Sequence, residues 1–310
     1  MAIRPVAISR LAPGALCAAA LVNALAVAFV VPRSAQLVTT YAQASGAASA
    51  LELGAGLALL AAGIVAWHER AGGSLGPLAV LLGLVWFAQD WVGWEDGWPP
   101  ARSVAMLALP FGPALLLHVA LAAPRGRLSR GAPRTLVTLG YAAAALVSGG
   151  LALVRDPFAD PYCWSNCADN VLLVHSDLEL ARTLGVLASA AGAGTAVLAV
   201  AVAAWRLVTA TGAGRRASWP VLAPAALAGA AEAAYGAALL WTPLEDPGRA
   251  GFMAVFCVRA TALAALAAGV AWTALRARRV RAALARIRAE SAPLRELLAR
   301  ALGDPGVSVA

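Results

Sequence analysis

Apolar residues fall in long runs along this chain, and most charged residues stand between the runs. Several runs extend to 18 residues or more, the length that an α-helix needs to cross about 30 Å of hydrocarbon. The pattern predicts an all-α fold: a polytopic transmembrane helix bundle of about eight spans, followed by a cytoplasmic C-terminal helix. The predicted spans are 11–31, 51–67, 75–92, 103–123, 135–154, 183–208, 218–241 and 252–275.

Composition supports a membrane protein over a soluble one. The chain of 310 residues is 61% hydrophobic and only 13% charged, too few polar residues to cover the surface of a soluble domain of this size. The formal charge of +8 comes from 24 basic residues, all of them arginine. Because most of these arginines flank the apolar runs, they indicate membrane orientation. We therefore expect contact with membrane lipid and no nucleic-acid partner.

The arginines also predict which side each loop occupies. With the amino terminus in the cytoplasm, 18 of the 24 arginines fall on the inner side, five fall outside, and Arg259 lies within the last span. This follows the positive-inside rule and predicts a multi-pass protein of the bacterial plasma membrane with both termini cytoplasmic. In an alternative, residues 1–44 are a long signal peptide that ends at the small-x-small site of residues 42–44. Cleavage would leave seven spans and an external amino terminus.

The chain divides by character into a bundle (1–275), a juxtamembrane signalling helix (276–304) and the start of a truncated cytoplasmic domain (305–310). The second segment is rich in arginine and has apolar residues at 3-4 spacing, either a seam for a partner helix in a homodimer or a solvated helix held near anionic lipid. Pro293 predicts a break near Ser291. The spaced apolar residues are Ala277, Val280, Leu284, Ile287, Leu294 and Leu298.

Two charged residues lie inside predicted spans. Glu232 stands about nine residues before the outer end of the seventh span, and Arg259 about seven residues after the outer end of the eighth. At 1.5 Å per residue the two depths agree within a helical turn, so the charges are expected to pair. The pair is either a ligand site, proton site or switch, or a structural contact that sets helix register.

The loop between the fifth and sixth spans carries two cysteines, Cys163 and Cys167. Because topology places this loop on the oxidising side, a small disulfide ring is the leading interpretation. Free thiols are one alternative. A metal site that adds Asp169 and His175 is the other, but the spacing matches no recognised zinc pattern, so no metal is expected.

Three further features have a passive and a functional interpretation. His118 is either an interfacial hydrogen-bonding group or a pH sensor, and Asn23 is expected to make a helix-packing contact. The tryptophan-rich loop 91–102 is either part of an interfacial aromatic belt or a pocket for a hydrophobic or cationic ligand. The sequence contains no phosphate-binding lysine loop, no His-Glu-x-x-His helix and no Gly-x-Ser-x-Gly elbow.

Three segments resemble a known family. The loop reads Arg-Asp-Pro-Phe-Ala-Asp-Pro over 155–161 and Cys-Trp-Ser-Asn-Cys-Ala-Asp-Asn-Val over 163–171. The segment 118–128 ends in Ala-Ala-Pro-Arg-Gly-Arg-Leu, and the final segment 294–309 contains Ala-Leu-Gly-Asp-Pro at 301–305. Together they resemble the membrane region and following linker of actinobacterial two-component sensor histidine kinases. The second segment departs from the usual pattern by having Ala123 where phenylalanine is common.

The resemblance implies the input module of such a kinase, truncated before the kinase core. It implies a homodimeric parent that binds ATP and Mg²⁺ in a cytoplasmic domain and passes phosphate to a response regulator. None of the three histidines here stands in an acceptor context, so the chain as given lacks catalytic residues and needs no cofactor. The expected sensing loop contains Asp156, Asp160, Trp164, Asp169 and Asn170.

Two functions from other classes remain open at this point. A small-solute transporter would use the Glu232/Arg259 pair to line a path, and interrupted helices or inverted repeats would favour it. A membrane scaffold protein would bind partners through the basic tail.

Overall fold

The structure, a computed structural model, describes residues 8–31, 38–69, 73–94, 97–159, 169–242 and 245–289. Within these ranges the chain is helical and contains no strand, which confirms the all-α fold. The helices are α1 (Ile8–Phe29), α2 (Tyr41–Ala44), α3 (Gly46–His68), α4 (Leu75–Trp86), α5 (Ala88–Val92), α6 (Pro99–Ala108), α7 (Gly112–Ala122), α8 (Ala132–Val154), α9 (Leu178–Thr209), α10 (Gly212–Trp241) and α11 (Ala250–Ala289).

Seven of the described segments are long and apolar enough to cross a membrane, so the chain is a multi-pass membrane protein. The apolar part of α1, Gly14–Phe29, is shorter than the other seven. The eight predicted spans correspond to α1, α3, α4 with α5, α6 with α7, and then α8, α9, α10 and α11 in turn.

The fourth span departs from the single helix that its hydropathy suggested. A 3₁₀ turn, Leu109–Phe111, separates α6 from α7. Proline has no backbone N–H and cannot donate the bond that an α-helix requires at its position. Pro110 and Pro113 together remove two such bonds within one turn, which accounts for the break.

Prolines have a different effect in α10, which continues through Pro220 and Pro224. Because Pro224 cannot donate to the residue four positions earlier, the carbonyl of Pro220 loses its intrahelical partner. The backbone of Gly269 on α11 lies directly against this carbonyl, and a side chain at Gly269 would collide with it. The proline is thus accommodated where two helices approach closely.

The bundle is built around neighbouring helix pairs. α11 packs between α10 and α3, α3 pairs with α4, and α9 pairs with α10. α7 lies inside, against α4, α9 and α10, while α8 covers α9 and α1 covers α3 and α4. The core is formed by alanine, leucine and valine with a few aromatic side chains, among them Phe87 and Phe256.

We name the two ends of the bundle by their connections. The upper end holds the connection between α10 and α11, and the lower end holds the connection between α9 and α10. α11 runs from the upper end downward as one uninterrupted helix of 40 residues, about 60 Å long. The expected boundary between bundle and exit helix at residues 275/276 therefore falls inside a continuous helix. The expected break near Ser291 and the segment 305–310 lie outside the described residues.

The loops of the lower end are tied together by a close backbone contact. The N–H and the hydroxyl of Ser74 both donate to the carbonyl of Gly126, at 2.8 and 2.9 Å. Gly73 adopts φ +56°, a left-handed conformation that favours glycine, and a side chain there would also meet the Gly126 carbonyl. The α3–α4 and α7–α8 loops are thereby held against each other.

Candidate functional site: a charge pair within the bundle

Glu232 and Arg259 lie about nine residues from the upper ends of α10 and α11, respectively. Nε and Nη2 of Arg259 both donate to Oε1 of Glu232, at 3.0 and 2.7 Å. The two side chains are only 13% and 12% exposed. This is the contact expected from their depths in the sequence.

Aromatic rings enclose the guanidinium of Arg259. Its central carbon lies 4.7 Å from the ring centre of Tyr235 on α10 and 5.6 Å from that of Trp86 on α4. The faces of such rings carry negative potential and attract cations, more strongly when water is excluded. Arg259 is therefore held by one carboxylate and two rings, which belong to two different helices.

A second carboxylate lies in the neighbouring helix pair. Glu52 on α3 is completely buried, and its Oε1 accepts a hydrogen bond from the Gln89 amide at 2.5 Å. The indole N–H of Trp86 donates to the Glu52 backbone carbonyl at 3.0 Å. Trp86 therefore connects the Glu52 contact to the Arg259 contact. We call Glu52, Trp86, Gln89, Glu232, Tyr235 and Arg259 the upper polar cluster.

Aromatic stacking extends this cluster to the surface of the upper end. Phe256, one turn before Arg259, stacks on Tyr41 with ring centres 4.6 Å apart and on Trp86 at 5.7 Å. The Tyr235 hydroxyl donates to Glu245 at 2.7 Å. Burial, and after it the nearby charge of Glu245, raise the pKa of Tyr41 far above its usual value, so its phenol stays neutral. A disturbance at residues 41 or 245 has a direct path of contacts to Arg259.

Sequence reasoning did not identify Glu52, Trp86, Gln89 or Tyr235 as members of a site. A signal was present, because Glu52 and Gln89 are polar residues within predicted spans, and such residues face the interior of a bundle. The hydrogen bond between Glu52 and Gln89 depends on how α3 packs against the span that α4 and α5 form, which hydropathy does not specify.

The predicted sensing loop is described only at its two ends. Asp156 accepts a hydrogen bond from the Phe158 N–H at 3.0 Å, a local turn, and Asp169 is exposed. Asp160, Cys163, Trp164 and Cys167 lie outside the described residues. The disulfide, with its alternatives of free thiols and a metal site, therefore stays a prediction.

Asn170 is buried and uses its side chain to hold the loop against the end of α8. Its amide donates to the carbonyls of Ala152 and Arg155, at 2.8 and 3.0 Å, and its oxygen accepts from the Leu172 N–H at 3.1 Å. The last carbonyls of a helix have no intrahelical partner, so Asn170 supplies one for α8.

The remaining candidates make contacts between helices. Asn23 on α1 accepts a hydrogen bond from the Trp91 indole at 3.0 Å, the packing contact expected for it. The His118 Nδ1 atom lies 3.1 Å from the Tyr141 hydroxyl on α8.

The tryptophan-rich loop divides between the bundle and its surface. Trp94 packs edge-on against Trp91 at 5.5 Å, while Trp98 is 65% exposed. Trp91 therefore packs within the bundle, and Trp98 remains available for an interfacial belt.

No group of three or more His, Cys, Asp or Glu side chains that could hold a metal ion is found among the described residues. Comparison with protein-family models, with curated proteins and with solved structures finds no match. The structure therefore describes a multi-pass helical membrane protein with an ion pair embedded between α10 and α11.

Proposed function

We propose that this chain is the membrane input module of a bacterial two-component sensor histidine kinase. It lies in the plasma membrane with both termini in the cytoplasm, so that the lower end faces the cytoplasm and the upper end faces outward. A stimulus at the upper end, or within the bundle, changes the position of α11. The parent is a homodimer whose kinase domain follows Ala310, uses ATP and Mg²⁺, and phosphorylates a response regulator.

The single observation that carries this proposal is the continuity of α11. One helix bears Arg259 in the upper polar cluster and continues to Ala289. Backbone hydrogen bonds from each residue to the fourth before it make such a helix stiff, so a rotation or shift imposed at Arg259 reaches the other end of the helix.

Ion pairs hold α11 against its neighbours at both ends of the bundle. At the upper end Arg259 binds Glu232 of α10. At the lower end Arg281 binds Glu69, which caps α3, at 2.5 Å, and Arg278 lies 4.0 Å from the same carboxylate. Movements of packed elements between two states often break and re-form the ion pairs at their interface. The Arg259–Glu232 pair is shielded from solvent, whereas the Arg281–Glu69 pair is exposed. We therefore expect the Arg259–Glu232 pair to contribute more to the position of α11.

The arginines support the assignment of the lower end to the cytoplasm. The α7–α8 loop, the α9–α10 turn, the helix ends that flank them and the end of α11 all lie there, and together they contain 13 of the 24 arginines of the chain. Positive residues are retained on the cytoplasmic side during membrane insertion.

The first test is the genomic reading frame beyond the codon for Ala310. The proposal expects it to continue into a helix with an acceptor histidine and then an ATP-binding domain. A stop codon directly after Ala310 would contradict the proposal and favour the transporter or scaffold.

The second test measures signalling by the full-length parent in membrane vesicles. Glu232→Gln should change basal autophosphorylation about fivefold or more, the lower range of coupling between linked sites. Glu179→Gln is the matched control, because Glu179 is exposed in the first turn of α9. Equal phosphorylation in the wild type and both variants would show that the upper pair does not control the output.

A further inference from the structure

A cavity of about 280 Å³ opens at the lower end of the bundle, away from the upper polar cluster. It lies where the α7–α8 loop, the end of α9 and the start of α10 meet. Because one water occupies about 30 Å³ of liquid, the space accommodates a group much larger than water. Its lining includes Pro124, Arg125, Arg206, Thr209, Ser218 and Leu222.

The cavity is positively charged. Arg125 and Arg206 both line it. Among the described residues that form its walls, none is acidic. Two guanidinium groups that face one cavity repel each other unless an anion lies between them.

Arg206 is fixed in position by the bundle itself. Its Nη1 atom donates to the carbonyls of Ala120 and Leu121, at 2.7 and 2.6 Å, at the end of α7. A helix end carries partial negative charge, which favours a cation there. These two bonds use only Nη1, and within the described part of the chain the Nε and Nη2 donors have no acceptor.

The polarity of the cavity changes with depth. Hydroxyl groups of Thr209 and Ser218 lie with the arginines, and Leu222 follows one helical turn further into the bundle. A phospholipid has the same order, with an anionic phosphate outside and apolar chains inside.

Tryptophans place this cavity at the membrane surface. Trp205 and Trp219 are each next to a lining residue, Arg206 and Ser218, and are 70% and 56% exposed. Exposed tryptophans in membrane proteins concentrate at the level of the lipid headgroups. The cavity therefore lies at the depth at which lipid phosphates lie.

We propose that this cavity binds a phosphate group, and that its occupant is the headgroup of an anionic phospholipid. Arg125 and Arg206 bind the phosphate oxygens with charge-assisted hydrogen bonds. The hydroxyls of Thr209 and Ser218 donate to the carbonyls of Trp205 and Gly214 and line the cavity beside the arginines without donating to the phosphate. The site does not depend on the signalling role proposed above.

The test uses the full 310-residue chain purified in detergent, with lipid binding measured by native mass spectrometry. Phosphatidylglycerol is the probe and phosphatidylcholine, which has no net charge, is the comparison. The proposal expects preferential retention of phosphatidylglycerol. Arg125→Gln should weaken it about tenfold or more, the loss of a direct hydrogen bond between a guanidinium and a phosphate.

Control variants at neighbouring residues make the test specific. Arg127→Gln removes the same charge from the same loop, at a residue that is exposed like Arg125 but does not line the cavity, so it should leave binding nearly unchanged. Thr209→Phe fills the cavity without a change in charge and should weaken binding, while Val208→Phe, at an exposed neighbour, should not. Equal losses for Arg125→Gln and Arg127→Gln, or no preference for phosphatidylglycerol, would overturn the proposal.

Inorganic phosphate separates the two sources of the ligand. Release of bound phosphatidylglycerol by millimolar phosphate, with the same dependence on Arg125, would support the phosphate site but identify a free phosphate compound as its occupant. Retention of the lipid under those conditions would identify the headgroup itself.

Discussion

Arg259 directs two guanidinium nitrogens at a single carboxylate oxygen of Glu232, across the interface between α10 and α11. The rings of Tyr235 and Trp86 flank the guanidinium, so this contact joins three helices. The positions of these helices therefore depend on the charge pair, and the contribution of the pair to the free energy of unfolding can be measured.

Replacement of one member of the pair should destabilise the bundle strongly. Glu232→Leu leaves a buried arginine without its carboxylate, which costs about 3–5 kcal/mol in comparable buried pairs. Thermal unfolding in detergent would measure the loss. The double variant Glu232→Leu/Arg259→Met removes both charges and should recover most of the stability. Equal destabilisation by the single and the double variant would show that side-chain volume, not charge, matters at this position.

Gly269→Ala should separate α10 from α11. The added methyl group would collide with the Pro220 carbonyl, and overpacking of this kind costs about 1–3 kcal/mol. Gly194→Ala is the control, since Gly194 lies within α9 and a side chain there meets open space; it should be neutral or slightly stabilising. The midpoint of thermal unfolding distinguishes the two, and a stable Gly269→Ala variant would contradict the close approach.

Asn170→Ala should loosen the connection between α8 and α9. Two carbonyls at the end of α8 lose their donor and the Leu172 N–H loses its acceptor, a cost of about 1–3 kcal/mol for buried groups left unpaired. Hydrogen exchange should become faster at the end of α8. Asp169→Ala, at the exposed neighbouring residue, should change neither exchange nor stability.

The thiol state of Cys163 and Cys167 can be counted directly. The chain has four cysteines, and Cys17 and Cys257 are free. Protein denatured without reductant should therefore show two reactive thiols if the disulfide forms, as expected on an oxidising face, and four after reduction. Four thiols before reduction would rule out the disulfide, and the Cys163→Ser/Cys167→Ser variant serves as the reference for two.

The sequence by itself determined the class of fold and the depths of its charges. Runs of apolar residues long enough to cross hydrocarbon leave few alternatives to helices, because every backbone polar group in lipid needs a partner within the segment. Once the two spans are helices, each residue adds a fixed rise, so the depth of a residue follows from counting. The positions of Glu232 and Arg259 within their antiparallel spans were therefore sufficient to predict their contact.

Only the tertiary structure decided which helices are neighbours and which faces meet. The membership of Glu52, Trp86 and Gln89 in the upper polar cluster depends on the packing of α3, α4, α5 and α11. Arg125 and Arg206 lie 81 positions apart in the sequence, and their meeting at one cavity also depends on helix packing. Hydropathy records how far a residue lies from the membrane surface but not its direction around the helix axis, and helix packing in lipid depends on local shape and hydrogen bonds between helices.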